Sequence, residues 1–399
     1  MKNDFVIADD SVIYLDGNSL GRLPKSVMPA VTNRIMEEWG GELIEAWEHW
    51  LDLPYRIGDL LATHLLGAPS GTVLMADSTS INFYKLVTAA LDARPRRGTI
   101  ISNEANFPTD RYIIEGLAEA RKLSIEWIDT DPISGFSTDE VVERVNADTA
   151  LIALSHVDYR NAAIADMRKI NDIGHSHGAL NLWDLSHSVG AIPITLEAAG
   201  TDLAVGCTYK YLNSGPGSPA FLYVNKKLQE HLTQPIWGWF GQTNQFSVDG
   251  PYLPKSGIGR FSVGTPSVVA LAATQAGIES VIQEGIGNLR KKSIMLTECL
   301  IQQAQADLLP LGFRVSSPLD SKCRGGHVLL THDDAEKISF AMRIYARVIG
   351  DFRPPNGIRL TPAPAYIELA DIDDAIERIV AIVRAGQYKS LDCSKQRVT

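Results

Sequence analysis

Between residues 72 and 225, short apolar runs alternate with segments whose apolar residues recur at helical spacing. The runs are TVLMAD (72–77), GTIISN (98–103), LSIEWID (123–129), TALIALSHV (149–157), ALNLWD (179–184), DLAVGCT (202–208) and AFLYVN (220–225). Between the first five lie STSINFYKLVTAAL (78–91), DRYIIEGLAEAR (110–121), TDEVVERVN (138–146) and MRKINDIGHSHG (167–178). Strands that are apolar on both sides must be covered on both faces. Helices between consecutive strands provide that cover only if the strands run mostly parallel. An α/β domain with a mostly parallel central sheet is therefore expected over about 42–270. A long helical segment (267–285) leads to a second pattern: strands HVLLTH (327–332) and GIRLTP (357–362), then a helix with an acidic start (371–386). This predicts a smaller α+β domain from 271–399 joined by residues 1–41.

The chain has 399 residues and a net charge of -10, with 37 basic against 47 acidic side chains. That balance argues against nucleic acid or an anionic membrane surface as a partner. The four cysteines form no CxxC, so reduced thiols and a cytoplasmic setting are expected. The start MKNDFVIADD lacks the pattern of a signal peptide, and no apolar stretch approaches a membrane span. There is no GxGxxG after the first strand, no P-loop, no HExxH or other metal-ligand spacing and no nucleophile elbow. No metal site is expected. His175 and His177 are read as solvated residues at a helix end.

Two polar residues end neighbouring apolar runs. Asp184 closes ALNLWD, and Lys210 follows 26 residues later in VGCTYKYLNSGPGSP (205–219). Parallel sheets bind ligands beyond the carboxyl ends of their strands. A lysine and a carboxylate there suit pyridoxal phosphate (PLP): the lysine forms a Schiff base with the aldehyde, and the carboxylate keeps the pyridine nitrogen protonated. Each residue alone is equally well read as a solvated lysine or a turn-forming aspartate. DSTSIN (77–82) opens a helix with hydroxyls that suit either an anion or a plain N-cap. NFPTD (106–110) puts Phe107 just past a strand, where a ring could stack on the cofactor; alone it reads as core, and Asp110 as a cap.

LWDLSHSVGA, VGCTYKYLNSGPGSPAF, GWFGQ (238–242) and RFSVGTPSV (260–268) together closely resemble the kynureninase family. YLDGNSLGRLP (14–24), DSTSIN, NFPTDRY, LSHVDYR (154–160) and GDFRPPNGIRLTP (350–362) match it in the same order, from about residue 14 to about 380. The resemblance implies the fold type I of PLP-dependent transferases and hydrolytic Cβ–Cγ cleavage of L-kynurenine, or a ring-substituted form, to an anthranilate and L-alanine. It implies Lys210 as the Schiff-base lysine, Asp184 as the pyridinium partner with His187 nearby, and Phe107 as the stacking ring. Asp110 and Ser155 would be further cofactor contacts. Thr79, Ser80 and Tyr209 would meet the phosphate, with Tyr209 also transferring protons. Trp239 and Thr265 would reach the phosphate from the partner subunit, which requires a homodimer with shared active sites. Arg359 would fork the substrate α-carboxylate.

The chain departs from the family where Gln242 replaces a histidine and at Asn161–Ala163, which puts the aryl end of the substrate in question. Gly264 with Thr265, and the ELIEAWEHW segment (42–50), resemble the bacterial branch. Either Trp47 or Trp50 would line the substrate pocket. Other fold type I reactions, among them cysteine desulfuration with Cys323, β-lysis and transamination, stay open, as does a non-catalytic PLP-fold binding protein.

Overall fold

The computed structural model describes residues 2–246 and 250–393, so the extreme ends of the expected small domain lie outside the described residues. Seven strands form the central sheet: β1 Val73–Met75, β2 Thr99–Asn103, β3 Ser124–Ile128, β4 Thr149–Ser155, β5 Leu180–Asp184, β6 Leu203–Gly206 and β7 Phe221–Val224. Their order is β1-β7-β6-β5-β4-β2-β3. Only the β7 pairings, with β1 and β6, are antiparallel. The sheet is thus mixed by one reversed strand.

Side chains of β5 show why a continuous apolar run was needed. Leu180 and Leu182 pack into the core on one face with Phe83 and Leu86, while Trp183 packs into the other with Met167 and Ile170. Each such fully buried Leu contributes about 1.5–3 kcal/mol. The edge strand β3 is different: Ser124, Ile125, Glu126 and Trp127 are only partly covered, as expected where no further strand pairs.

Three helices flank the sites of interest: α1 Leu53–Leu65, α2 Thr79–Asp92 and α3 Pro108–Arg121. VMPAVTNRIMEEW (27–39) has apolar residues at helical spacing, but the helix there is interrupted. An α-helix covers Val27–Asn33 and a π-helical stretch follows over Arg34–Glu42, whose end carries Gly40 and Gly41, weak helix formers.

A second sheet joins β8 Arg314–Val315, β9 Val328–Thr331, β10 Asp351–Arg353 and β11 Gly357–Leu360, in the antiparallel order β10-β11-β9-β8. Residues Ile13–Tyr14 pair in parallel with Val348–Ile349, and Thr361 donates its N–H to the Leu15 carbonyl (2.7 Å). The N-terminal segment is thereby laid along this second sheet, which delivers Asp16, Asn18 and Ser19 to its inner side. His175 is about 40% exposed in the last turn of its helix, and its Nε2 lies 2.8 Å from Asp202 Oδ2. Asp202 also accepts the Asn181 N–H (2.9 Å), so the pair braces the start of β5. The bond to Asp202 raises the His175 pKa.

Candidate active site

The sheet register builds the site. Ser155 and Asp184 are paired neighbours at the carboxyl ends of β4 and β5, and Asp184 pairs with Val205 on β6. Five residues beyond Val205 the chain places Lys210. The α3 N-terminus adds Phe107 and Asp110, and the α2 N-terminus adds Thr79 and Ser80. These residues, with His187 and Tyr209, enclose a cavity of ≈140 Å³. Nine of the sequence-selected positions thus meet in one hollow: Thr79, Ser80, Phe107, Asp110, Ser155 and, from the second half of the sheet, Asp184, His187, Tyr209 and Lys210, with Ser78 beside them.

Local chemistry differs across its walls. Lys210 Nζ lies 2.9 Å from His187 Nε2, and 5.8 Å from the Phe107 ring centroid. His187 is buried, which pushes its pKa well below the ordinary value, with the Lys210 charge adding to the effect. It is therefore an uncharged ring beside the Lys210 amine. Asp184 accepts the Ser186 N–H (2.7 Å) through Oδ1. Asp110 is 1% exposed and its Oδ2 has no hydrogen-bond partner. Burial, then the neighbouring Asp184 carboxylate, raises its pKa well above the usual range. Asp110 is no cap: it sits inside α3, and the N-cap residue is Phe107. Phe107 is not core either. It is 37% exposed and edge-on to Tyr159 at 5.4 Å. Ser155 Oγ donates to Asn106 Oδ1 (2.7 Å), and Ser78 caps α2 by accepting the Ile81 N–H (3.3 Å). Burial pushes the Tyr209 hydroxyl pKa upward, so it stays protonated.

These residues fit PLP on features of the chain itself. A helix N-terminus with three hydroxyl residues suits its phosphate. The two carboxyl groups, one with an orphaned buried oxygen, suit a protonated ring nitrogen. Phe107 offers a ring face, and Lys210 an amine within the same hollow.

Arg359 lies outside this cavity, on β11. It is 1% exposed and sits directly across the strands from Asp351. Its Nε is 2.9 Å from Asp351 Oδ1 and its Nη2 2.5 Å from Oδ2; Nη2 also reaches Ser19 Oγ (3.1 Å), and Nη1 donates to the Tyr159 carbonyl. One edge of the guanidinium is thus held by Asp351 and the other faces the groups of Ser19 and Tyr159. Asp351, Ser19 and Tyr159 escaped the sequence reading. The eight-residue spacing of Asp351 and Arg359 around a Pro-Pro-Asn turn was the available signal. His327 escaped it too: it is fully buried 5.6 Å from the His187 ring, with both ring nitrogens lacking side-chain partners.

Burial, and next the Asp351 charge, raises the Asp16 pKa from 3.8 to about 6. The native chain therefore holds a proton that the unfolded chain releases above 3.8. Stability falls as pH rises from 3.8 to about 6 and is level above that. Asp16→Asn should remove this slope. The melting temperature of the variant should gain on that of the unsubstituted chain between pH 5 and pH 7; a constant difference would refute the assignment.

The remaining selected residues lie elsewhere. Gly264 and Thr265 line a separate hollow of ≈250 Å³ with Phe240 and Asp77. Trp239 is 46% exposed. Trp47 is edge-on to Trp50 (5.5 Å) and tilted against Phe240 (6.1 Å), whereas Trp50 is buried with its Nε1 donating to Glu38 Oε2 (2.6 Å). Gln242 Oε1 accepts the Leu253 N–H (2.6 Å). Asn161 Oδ1 accepts the Ala163 N–H (2.8 Å) over left-handed Ala162. Among the described residues no cluster could hold a metal ion, and no helix is long and apolar enough to cross a membrane.

Residues 289–379 match the model of the kynureninase C-terminal domain. The chain is 39% identical over 376 residues to a kynureninase of Pseudomonas fluorescens, covering 92% of this chain and 88% of the relative. It is 38% identical over 381 residues to one of Deinococcus radiodurans, covering 93% and 90%. This chain belongs to the kynureninase family. Its fold is shared with the cystine C-S lyase C-DES, solved with its product cysteine persulfide, at a TM-score of 0.82 and 17% identity over 93% of this chain and 98% of that one. A cysteine desulfurase from Thermococcus onnurineus gives 0.81 and 18% over 94% and 96%. A C-DES variant with glycine linked to its PLP cofactor also gives 0.82, at 17% identity over 93% and 97%. The fold is that of the fold type I PLP enzymes, and the family is a PLP-dependent one.

Proposed function

We propose that this family member cleaves the Cβ–Cγ bond of L-kynurenine hydrolytically, giving anthranilate and L-alanine, with PLP held by Lys210. The observation that carries the reading is the single cavity in which Lys210, uncharged His187 and the Asp110–Asp184 carboxyl pair face one another. When bound, PLP supplies an aldehyde that takes up amines and a protonated ring that accepts electrons from carbon.

The chain's own groups do the rest. Asp184, with Asp110 beside it, keeps negative charge at the ring nitrogen. Phe107 fixes the plane of the ring. Thr79, Ser80 and the α2 N-terminus hold the phosphate. His187 accepts from Lys210 Nζ, so the amine is oriented before substrate arrives. Lys210 Nζ takes the proton from the substrate Cα and delivers it again. Water adds to the γ-carbonyl, the Cβ–Cγ bond breaks to release anthranilate, and Tyr209, kept protonated by burial, donates a proton to the Cβ of the alanyl fragment left behind. Arg359 receives the α-carboxylate on the edge turned away from Asp351, where the carboxylate replaces the Tyr159 carbonyl and Ser19 hydroxyl as acceptor.

A homodimer accounts for the distant residues. Trp237, Trp239 and Phe246 are 64%, 46% and 68% exposed, an apolar surface that water alone would cover poorly. Trp239 and Thr265 would complete the partner's phosphate site, with Trp47 and Gly264 at the aryl end of the substrate. Purified protein loaded with PLP and given L-kynurenine should release fluorescent anthranilate and an equal amount of alanine. PLP binding without either product, from L-kynurenine or 3-hydroxykynurenine, would sink the reading.

A further inference from the structure

Lys85, in the second turn of α2, has no exposed side-chain surface. Lysine is among the residues least often buried, and then almost always paired. Its Nζ lies 2.8 Å from Asp77 Oδ2 and 3.4 Å from Asn82 Oδ1. Asp77 has φ +49°, a left-handed conformation that aspartate tolerates better than most residues. The chain then turns extended at Ser78 and enters α2 at Thr79. Asn82 Nδ2 donates to the Ala76 carbonyl (2.7 Å). Two side chains of α2 therefore reach back to hold the turn that feeds its own N-terminus. The same turn is tied to the lysine segment. The Asp77 carbonyl accepts the Ala220 N–H (3.0 Å), and Thr208 Oγ1 donates to the Pro219 carbonyl (2.7 Å), two residues before Lys210.

We propose that the pair of buried Lys85 with partly exposed Asp77 is a positioning device for phosphate recognition. It fixes the left-handed turn that aims the α2 N-terminus, with Thr79 and Ser80, at the phosphate of PLP, and it locks that turn to the segment carrying Lys210. This rests on the phosphate cradle proposed above. Neither Lys85 nor Asp77 lines the cavity of Lys210; both act through the backbone between them and the hydroxyls.

The test titrates apo-protein with PLP and with pyridoxal, which lacks the phosphate. Lys85→Met should weaken PLP about tenfold or more and leave pyridoxal within about twofold, because only the phosphate donors lose alignment. Lys85→Met combined with Asp77→Asn should recover most of the PLP affinity, since asparagine keeps the left-handed turn and no charge is left alone. Lys85→Met with Asp77→Val, also uncharged but intolerant of that conformation, should not. This last comparison stands even where the single variant fails to fold. Equal weakening of PLP and pyridoxal in Lys85→Met, or equal affinities in the two double variants, would overturn the proposal. A chain that binds PLP no tighter than pyridoxal before any substitution would remove the cradle as well; an unchanged preference in Lys85→Met would remove the inference alone.

Discussion

Lys210→Ala is expected to abolish the visible absorption that PLP acquires when a lysine holds it, and to reduce anthranilate release by about two to four orders of magnitude. The size follows from the geometry. Lys210 is the amine in the cavity, 2.9 Å from a histidine that burial keeps uncharged, and it is assigned both the covalent hold and the proton transfer at Cα. No neighbour can take over. His187 Nδ1 has no partner and its pKa lies well below the ordinary value, so it is a poor base. The Tyr209 hydroxyl is held protonated. Absorbance of the PLP-loaded variant and a fluorescence assay would check both parts, and substantial turnover by Lys210→Ala would remove the assignment.

Arg359→Lys should lower kcat/KM for L-kynurenine about 10- to 100-fold, mainly through KM, because a point charge replaces two parallel N–H donors. Arg359→Met should do more. It leaves the Asp351 carboxylate, itself 1% exposed, without its cross-strand partner, and losing one member of a buried pair costs about 3–5 kcal/mol. Arg353, at 2.5 Å from Asp351 Oδ2, offsets part of that cost. Denaturant midpoints and steady-state kinetics would separate the two effects. An Arg359→Lys enzyme with unchanged KM would place the carboxylate elsewhere.

Much of this was legible in the sequence because sheet geometry is local. The apolar runs named all seven central strands to within a few residues, and strand ends are where such sheets bind ligands. Asp184 and Lys210 could therefore be paired from spacing alone. Single residues were harder. Taken alone, Asp110 read as a cap and Phe107 as core, and only the family resemblance pointed to the cofactor, since nothing in NFPTD shows that β2 ends at the rim of a cavity. The Asp202 partner of exposed His175 was hidden because it is distant in sequence. The reversed direction of β7 was equally hidden, as an apolar run carries no mark of its polarity.

The sequence by itself determined the layered α/β architecture, the positions of the apolar cores and the order in which the site residues appear, because all three follow from periodicity and chain order. Only the tertiary structure decided which charges are paired. Arg359 meets Asp351 through strand register, and Lys85 meets Asp77 through a helix folding back on its own entry turn. His187 loses its charge mainly because burial, which no spacing encodes, removes it from water.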